Sequence, residues 1–329
     1  MNKVALITGI NGQDGSYLAE FLLDKGYDVW GTIKRNSVSE NQTSRLDGVY
    51  NIIKNNLRYA DLTDLSSLLT VIKECNPDEV YNLGAQSHVR ISFDQPIYTA
   101  QATGIGVLNM LEAVRIHNPQ IRIYQASSSE MFGNSIDEDG FQRETTPLIP
   151  VSPYGCSKVF GYNIARNYRN SYGMYISNGI LFNHESPRRG SNFVTNKVAK
   201  TAVEIKLGMR DKLALGNLNA TRDWGHAKDY VEAMWMILQL DQPDDFVCAT
   251  GISHSVQDLV EFVFNKLDLD WKEHITVDEK YLRPEELEDL KGDSSKLREV
   301  TGWELNYTFE EMMNEMVDYW LDYYDNKGR

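Results

Sequence analysis

The sequence has little cysteine and no long hydrophobic run. Its three cysteines, Cys75, Cys156 and Cys248, are odd in number, far apart and without CxxC spacing. This argues against a disulfide framework and against a zinc site, and it fits a reducing compartment. The short apolar run after Met1 ends at Gly9, unlike the longer apolar core of a signal peptide, and no segment approaches a membrane span. These absences predict a soluble, cytoplasmic protein.

Positive charge is also scarce. The chain has 33 basic and 47 acidic residues, which gives a formal net charge of −14. This balance argues against nucleic acid or an anionic membrane as a general partner, so an anionic ligand would need a local basic pocket. The 329 residues, 42% of them hydrophobic and 24% charged, have a globular composition and suffice for one large or two smaller domains. Repeats, low-complexity tracts and a flexible linker are absent, which indicates two lobes that share one chain, with the cleft between them as the site.

Apolar periodicity alternates between strands and helices through the first half of the chain. The predicted strands are 4–8, 27–33, 56–59, 79–83, 121–126 and 175–182. The predicted helices are 17–25, 65–73, 104–116, 154–168, 193–207, 228–238, 256–267 and 309–321. This order predicts an α/β fold, a Rossmann-type doubly wound parallel sheet, with a smaller, mostly helical C-terminal lobe.

A glycine-rich turn joins the first strand to the first helix. Gly9, Gly12 and Gly15 form Gly-x-x-Gly-x-x-Gly, which would let the backbone approach a pyrophosphate at a helix N-terminus. The spacing differs from the simplest dinucleotide fingerprint, Gly-x-Gly-x-x-Gly, and alone it could be an ordinary turn.

The end of the second strand adds to the cofactor prediction. An acidic residue there would bind the ribose hydroxyls of NAD, whereas Lys34 and Arg35 suit the 2′-phosphate of NADP. A solvated basic loop is the alternative. Asp61 and Leu62 follow the third strand and could meet the adenine, and 83–87 follow the fourth strand, where the cofactor must pass.

Catalytic side chains follow the fifth strand. Ser128 and Glu130 supply a hydroxyl and a carboxylate, and Tyr154 and Lys158 stand four residues apart on a helix that Ser152-Pro153 would cap and open. Such a pair shares one helix face, so the ammonium could lie near the phenol and favour its ionised form. The alternative is a surface Tyr and Lys at ordinary helical spacing.

Together these motifs resemble the extended short-chain dehydrogenase/reductase group. Over essentially the full length the chain resembles one family of that group, the GDP-mannose 4,6-dehydratases, in the segments 178–190 and 216–234 and in Arg283-Pro284. The resemblance implies NADP as cofactor, GDP-mannose as substrate and a homodimer or homotetramer. It also implies no metal, and the histidines show no metal-ligand arrangement.

The resemblance assigns roles residue by residue. Tyr154 would take the proton of the C4 hydroxyl, Glu130 would remove the C5 proton, Ser128 would bind the C4 oxygen, and Lys158 would hold Tyr154 and the nicotinamide ribose. The implied cofactor-binding residues are Gly9, Asn11, Gly12, Gln13, Asp14, Gly15, Arg35, Asp61, Leu62, Leu83, Gly84, Ala85, Gln86, Ser87, Tyr98, Tyr154, Lys158, His184 and Arg189. The implied substrate-binding residues are Ser87, Ser128, Glu130, Asn183, Val194, Lys197, Arg222 and Arg283.

Two positions depart from the family pattern. Ser128 stands where Thr is common, which keeps the hydroxyl, and Asn36 stands where a second arginine is common after the second strand. Related GDP-sugar epimerases and reductases of the 4-keto product are the alternatives within enzymes, and Glu130 favours a dehydratase because an epimerase need not remove a C5 proton. A non-catalytic NADP-binding protein is the alternative from another class. We expect 1–182 and 223–258 to bind NADP, and 183–222 and 259–329 to bind the GDP-sugar.

Overall fold

The structure is a computed structural model, and it describes residues 2–37, 42–278, 285 and 287–327. The strands are β1 (Val4–Thr8), β2 (Asp28–Ile33), β3 (Leu57–Tyr59), β4 (Glu79–Asn82), β5 (Arg122–Ser128), β6 (Ile176–Leu181), β7 (Asn183–Glu185), β8 (Leu213–Leu215), β9 (Thr221–His226), β10 (Asp245–Cys248), β11 (Ser253–Ser255) and β12 (Ile275–Val277). The predicted residue Arg283 lies outside the described residues.

Helices surround these strands. They are α1 (Gln13–Asp24), α2 (Tyr50–Ile53), α3 (Leu65–Cys75), α4 (Val89–Asp94), α5 (Pro96–Thr99), α6 (Gly106–His117), α7 (Pro153–Tyr172), α8 (Val194–Lys206), α9 (Ala227–Gln239), α10 (Val256–Lys266), α11 (Trp271–His274), α12 (Ser295–Thr301) and α13 (Phe309–Lys327). A π-helical segment, Ala100–Ile105, leads directly into α6.

The central sheet confirms the predicted fold class. It has seven strands in the order β10-β6-β5-β4-β1-β2-β3, and every neighbouring pair is parallel. The strand order reverses between β1 and β4, and a doubly wound sheet binds its ligand at the carboxyl ends of the strands beside that point.

Local sequence signals explain where the long helices begin and end. The Ser152 hydroxyl accepts a hydrogen bond from the Gly155 N–H at 3.0 Å, and Pro153 occupies the first turn of α7, as the sequence predicts. At the other end Gly173 adopts φ 65°, a left-handed conformation that costs glycine little. Because α7 is fixed at both ends, Tyr154 and Lys158 are held in its first two turns.

Apolar layers cover both faces of the sheet, and a further core lies beside it. One layer joins α1 and α9 to the sheet, and the other joins α3, α6 and α7 to the opposite face. The further core unites α8, α10 and α13 around Trp224. The first half of the chain therefore supplies most of the platform, and the second half supplies the structure that covers its carboxyl edge.

The Asp245 carboxylate on β10 ties the edge of the sheet to α7. It accepts hydrogen bonds from Arg169 at 3.0 Å, from the Asn178 amide at 2.8 Å and from the Tyr162 hydroxyl at 3.2 Å. The Asp245 side chain is 7% exposed and that of Arg169 is 13% exposed, so the pair is largely shielded from water. Removing one member of such a pair leaves the other charge buried without compensation.

We therefore expect Asp245→Ala to lower the free energy of unfolding by about 3 to 5 kcal/mol. Urea unfolding followed by circular dichroism measures the change. Asp241→Ala is the matched control, because Asp241 is an exposed carboxylate just ahead of the same strand. Equal losses in the two variants would contradict the assignment.

Candidate active site

A cavity of about 750 Å³ opens between the carboxyl edge of the sheet and the core around Trp224. Its volume lies within the ordinary range for small-molecule sites. The predicted residues that line it are Asp14, Leu83, Ala85, Ser87, Ser128, Glu130, Tyr154, Lys158, Asn183, His184, Arg189, Val194, Lys197 and Arg222. The fold thus brings all four predicted catalytic side chains together with those predicted substrate-binding residues that lie in the described part of the chain.

The glycine turn is packed too closely against neighbouring backbone to accept a side chain at Gly9 or Gly15. A Cβ atom on Gly15 would lie 2.5 Å from the Gly9 carbonyl oxygen and 2.6 Å from the Ile10 Cα, both of which are backbone atoms. Gly9 has φ 66°, and a Cβ atom there would lie 3.1 Å from the Gly84 Cα. The turns after β1 and β4 therefore approach each other with bare backbone at the start of α1, which fits the pyrophosphate of a dinucleotide.

Side chains of the same turn bind the segment that follows β6. The Gln13 amide donates to the His184 carbonyl at 3.1 Å and accepts from the Ser186 hydroxyl at 2.8 Å. The Asp14 carboxylate lies 2.8 Å from His184 Nε2, and the Phe182 carbonyl lies 2.7 Å from His184 Nδ1. Because both ring nitrogens face acceptors, this environment favours the doubly protonated imidazolium.

Asp14 and His184 shift each other's pKa in opposite directions, downward for the carboxyl and upward for the imidazole. Burial disfavours the charged Asp14 carboxylate, but the His184 ring holds its pKa at about 2. Burial likewise disfavours the imidazolium, but Asp14 raises the pKa of His184 above its ordinary value of 6.5. The two residues therefore form a partly buried ion pair between the cofactor turn and β7.

The predicted adenine end of the site lies at the ends of β2 and β3. Lys34 contacts the Tyr98 hydroxyl and lies 3.3 Å from Asp61 Oδ2. The Arg35 guanidinium lies 5.6 Å from the centre of the Tyr59 ring. Lys34 is thus occupied by neighbouring side chains, and Arg35 is the better placed of the two to meet an added phosphate.

The remaining predicted cofactor residues lie in the turns nearby. The Asn11 amide donates to the Gln42 carbonyl at 2.9 Å, and the Leu62 carbonyl accepts from Asn109 at 2.7 Å. The Gln86 side chain braces its own loop, accepting from the His88 N–H at 2.7 Å and donating to Thr99 at 3.1 Å.

Ser128 and Glu130 mark the end of β5. The Ser128 hydroxyl accepts a hydrogen bond from the Glu130 N–H at 3.3 Å, which begins a 3₁₀ turn over Ser129–Met131. Ser128 also hydrogen-bonds to Tyr154. The Glu130 side chain is buried and lines the cavity, so a carboxylate, a hydroxyl and a phenol meet at one place.

Burial is the largest influence on the pKa of both Tyr154 and Lys158, and the predicted effect of Lys158 on the phenol stays a prediction. Burial raises the pKa of Tyr154 to about 12, and the neighbouring Glu130 charge acts in the same direction. Burial also lowers the pKa of Lys158 to about 8, and its ammonium donates to the Ala126 carbonyl at 2.8 Å, 5.7 Å from the Tyr154 ring centre. The helical spacing places the two side chains on one face, and desolvation moves both groups toward their neutral forms.

Basic and amide side chains line the other wall. Lys197 donates to the Ala214 carbonyl at 2.6 Å, and Arg222 donates to the Thr221 carbonyl at 2.6 Å and the Leu287 carbonyl at 3.1 Å. Arg189 lies 3.1 Å from the Glu185 carboxylate, and its guanidinium stacks 3.8 Å from the centre of the Phe193 ring. These cations form the local basic region that an acidic protein needs to bind a diphosphate.

Several cavity residues are absent from the sequence predictions, among them His88, Phe193 and Trp224. His88 follows the predicted β4 loop, and its ring lies 5.1 Å from that of Phe193. His88 could have been found from the sequence, because it lies one residue past the predicted segment 83–87. Phe193 and Trp224 carry no such signal, since their aromatic side chains are typical of a core.

In the described part of the chain, no group of three His, Cys, Asp or Glu side chains could hold a metal ion. Across the described ranges, no helix is long and apolar enough to cross a membrane.

The fold and these side chains define a dinucleotide-binding enzyme of the short-chain dehydrogenase/reductase type. The sequence profile of the family described as GDP-mannose 4,6 dehydratase matches residues 6–316. The chain is 51% identical over 326 residues to GDP-mannose 4,6 dehydratase 1 of Arabidopsis thaliana, covering 96% of this chain and 89% of that one. It is 48% identical over 340 residues to human GDP-mannose 4,6 dehydratase, covering 96% and 90%. The chain belongs to the GDP-mannose 4,6-dehydratase family.

Solved structures confirm the fold at lower sequence identity. A dTDP-glucose 4,6-dehydratase from Bacillus anthracis in complex with NAD superposes with a TM-score of 0.84 at 23% identity, covering 98% of each chain. RMD from Pseudomonas aeruginosa complexed with NADPH superposes with a TM-score of 0.81 at 20% identity, covering 98% of this chain and 100% of that one. At this identity the likeness concerns the fold alone.

The Asp14–His184 pair gives a pH-dependent contribution to stability. Because the Asp14 pKa falls from 3.8 to about 2, its contribution is complete above about pH 4 and is lost as the pH falls through about 2. Because the His184 pKa is raised from 6.5, its contribution is complete below that value and is lost as the pH rises through the folded-state pKa. Asp14→Asn should therefore cost roughly 2 kcal/mol between about pH 4 and pH 6, and less at higher pH.

Urea unfolding of the wild type and Asp14→Asn across this pH range measures the difference. The control is Asp24→Asn, an exposed carboxylate at the far end of the same helix, which should show a small difference at every pH. A cost for Asp14→Asn that stayed constant up to pH 9 would show that the pair is not ionised.

Proposed function

We propose that the protein converts GDP-mannose to GDP-4-dehydro-6-deoxymannose and water with NADP as its cofactor. Membership of the family supports the reaction and the substrate. The observation that carries the proposal is the buried Glu130 carboxylate, which faces the same cavity as Ser128, Tyr154 and Lys158. A reaction that only removed and returned hydride at C4 would have no use for a carboxylate at that place.

The cofactor would lie across the bare backbone of the glycine turn. Gly9, Gly12 and Gly15 would receive its pyrophosphate, and 83–87 and Lys158 would hold its nicotinamide half. When bound, it takes the hydride from C4 of the sugar and returns it to C6. Because the hydride would return to the sugar from which it came, the reaction would need no external oxidant.

Tyr154 and Ser128 would act at the C4 oxygen. The phenol is protonated at neutral pH in the protein without ligand, since burial raises its pKa to about 12. Positive charge brought near the phenol would lower that pKa, so Tyr154 would become a base when the site is filled. Ser128 already hydrogen-bonds to Tyr154 and would pass the C4 hydroxyl proton to it.

Glu130 would then act at C5. Oxidation at C4 places a ketone beside the C5–H bond and acidifies it, so a carboxylate held within reach can remove that proton. The C6 hydroxyl would take that proton from Glu130 and leave as water, which gives an unsaturated ketone. Hydride at C6 and a proton at C5 would then give the product. The substrate diphosphate would be bound by Asn183, Lys197, Arg222 and Arg283, with Val194 and Ser87 beside the sugar.

Two further features are part of the proposal. We expect 1–182 and 223–258 to bind the cofactor and 183–222 and 259–329 the GDP-sugar, in a cytoplasmic homodimer or homotetramer. The exposed side chains of Ile97, Ile105 and Phe160 support an oligomer, because they are 72%, 43% and 40% exposed on neighbouring helical segments. Light scattering on the purified protein measures the assembly.

The decisive experiment incubates the protein with GDP-mannose and NADP⁺ without a reductant. Product mass and the absorbance of reduced cofactor are followed together. Loss of one water with no net NADPH supports the dehydratase. Unchanged mass with a changed sugar configuration would instead indicate an epimerase.

Glu130→Gln should block the elimination but leave C4 oxidation intact. We expect NADPH absorbance to accumulate with substrate, while dehydrated product falls by about 100-fold or more. Glu138→Gln is the matched control, since Glu138 is an exposed carboxylate in the loop that follows the same turn. Unchanged turnover in Glu130→Gln would remove Glu130 from the mechanism.

Arg35→Ala tests the preference for NADP. If Arg35 meets the 2′-phosphate, the substitution should weaken NADPH binding by about tenfold and leave NADH binding unchanged. Quenching of protein fluorescence measures both affinities. Arg58→Ala is the control, because Arg58 lies on the adjacent strand β3 and pairs with Glu74. An equal effect of Arg35→Ala on both cofactors would contradict the assignment.

A further inference from the structure

A row of polar side chains crosses the buried central sheet from β2 to β10. Six strands contribute registered residues in the spatial order Thr32, Thr8, Asn82, Gln125, Asn178 and Asp245. Each of the six is no more than 5% exposed. Strands of a parallel sheet covered on both faces are normally apolar, so a buried polar row needs partners for its groups and a reason to exist.

Hydrogen bonds determine how the Thr8 hydroxyl and the Asn82 and Gln125 amides are oriented within this row. The Thr8 hydroxyl oxygen accepts from the backbone N–H groups of Leu83 at 3.0 Å and Gly84 at 2.9 Å. Since both lone pairs are then used, the Thr8 hydroxyl donates its proton to Asn82 Oδ1, at 2.8 Å. The Asn82 amide nitrogen must therefore face Gln125, whose Oε1 accepts from it at 2.7 Å. Two backbone groups of the cofactor turn thus orient the amides of Asn82 and Gln125.

The hydrogen bonds that run from Thr8 through Asn82 to Gln125 end on the carbonyl that binds Lys158. Gln125 Nε2 donates to the Ala126 carbonyl at 2.9 Å, and Lys158 Nζ donates to the same oxygen at 2.8 Å. Asp14 is the carboxylate that acts on the Lys158 charge, and Tyr154 is the titratable ring beside it. Gln125 therefore shares the acceptor that the structure gives to the ammonium.

We propose that Gln125 is a positioning residue for Lys158, and that Asn82 and Thr8 hold it in register with the cofactor turn. Gln125 fixes the Ala126 carbonyl and competes with Lys158 for it, so the row sets both the place and the proton affinity of the lysine. The inference rests on the proposed function only in assuming that Lys158 takes part in that reaction. The same hydrogen bonds connect the turn that approaches the dinucleotide to the strand that carries Ser128.

A double-mutant cycle tests the coupling along the row. Thr8→Val and Gln125→Met should each lower kcat for GDP-mannose by about tenfold, with KM changed by less than about threefold. Because each variant breaks the same chain, the double variant should be little worse than the poorer single one. Thr8→Ser keeps the hydroxyl and should restore kcat.

Thr32→Val is the matched control for Thr8→Val. Thr32 is buried and in register with Thr8, but among the described residues its hydroxyl makes no hydrogen bond to another member of the row. Its kcat should stay within about twofold of the wild type. Multiplicative losses in the double variant, or an equal loss in Thr32→Val, would overturn the proposal.

A second measurement does not depend on the reaction. Competitive acetylation of the cofactor-free protein across pH, read by peptide mass spectrometry, gives the titration midpoint of Lys158, which lines the cavity. In Gln125→Met the Ala126 carbonyl serves Lys158 alone, so the ammonium is better stabilised and the midpoint should rise by about half a pH unit.

The two measurements separate the possible failures. A wild type that converts no GDP-mannose would refute the proposed function and leave the labelling result to decide the role of Gln125. A Lys158 midpoint that stays unchanged in a folded Gln125→Met protein, judged by its thermal unfolding, would refute the positioning role whatever the activity.

Discussion

The ion pair between Asp14 and His184 joins the two sides of the cavity. Asp14 belongs to the first turn of α1, which the glycine turn aims at a dinucleotide, and His184 belongs to β7, which leads toward the residues of the opposite wall. Gln13 and Ser186 reinforce the connection with a second hydrogen bond at 2.8 Å. A shift of either wall would have to break this partly buried charge pair, which is costly. The pair therefore holds the two walls of the cavity in place relative to each other.

Burial sets the protonation of the catalytic groups. Tyr154 and Lys158 are both pushed toward their neutral forms, because a charged group loses more hydration in the cavity than its neighbours restore. A charge placed beside either group would act strongly on it, because little water screens this region.

Much of the architecture can be predicted from the sequence, because long apolar segments and helix caps are local signals. The six predicted strands of the sheet and the cap at Ser152 agree with the structure. The strands after β6 are not predicted. β7, β9 and β11 carry mostly polar residues, and β8, β10 and β12 are runs of three or four residues outside the regular alternation of the first half. The polar row was also invisible, because its members lie far apart in sequence and only the strand register brings them together. The pKa of Tyr154 follows from burial, which spacing along a helix cannot reveal.

The late arrival of β10 in the sequence has a consequence for synthesis on the ribosome. Arg169 on α7 precedes its partner Asp245 by 76 residues, and the chain between them includes α8 and β9. A nascent chain that has just completed α7 therefore carries an unneutralised guanidinium beside a sheet that still lacks its edge strand. Since exposed strand edges favour association, we expect the partly synthesised chain to associate more readily than the complete one.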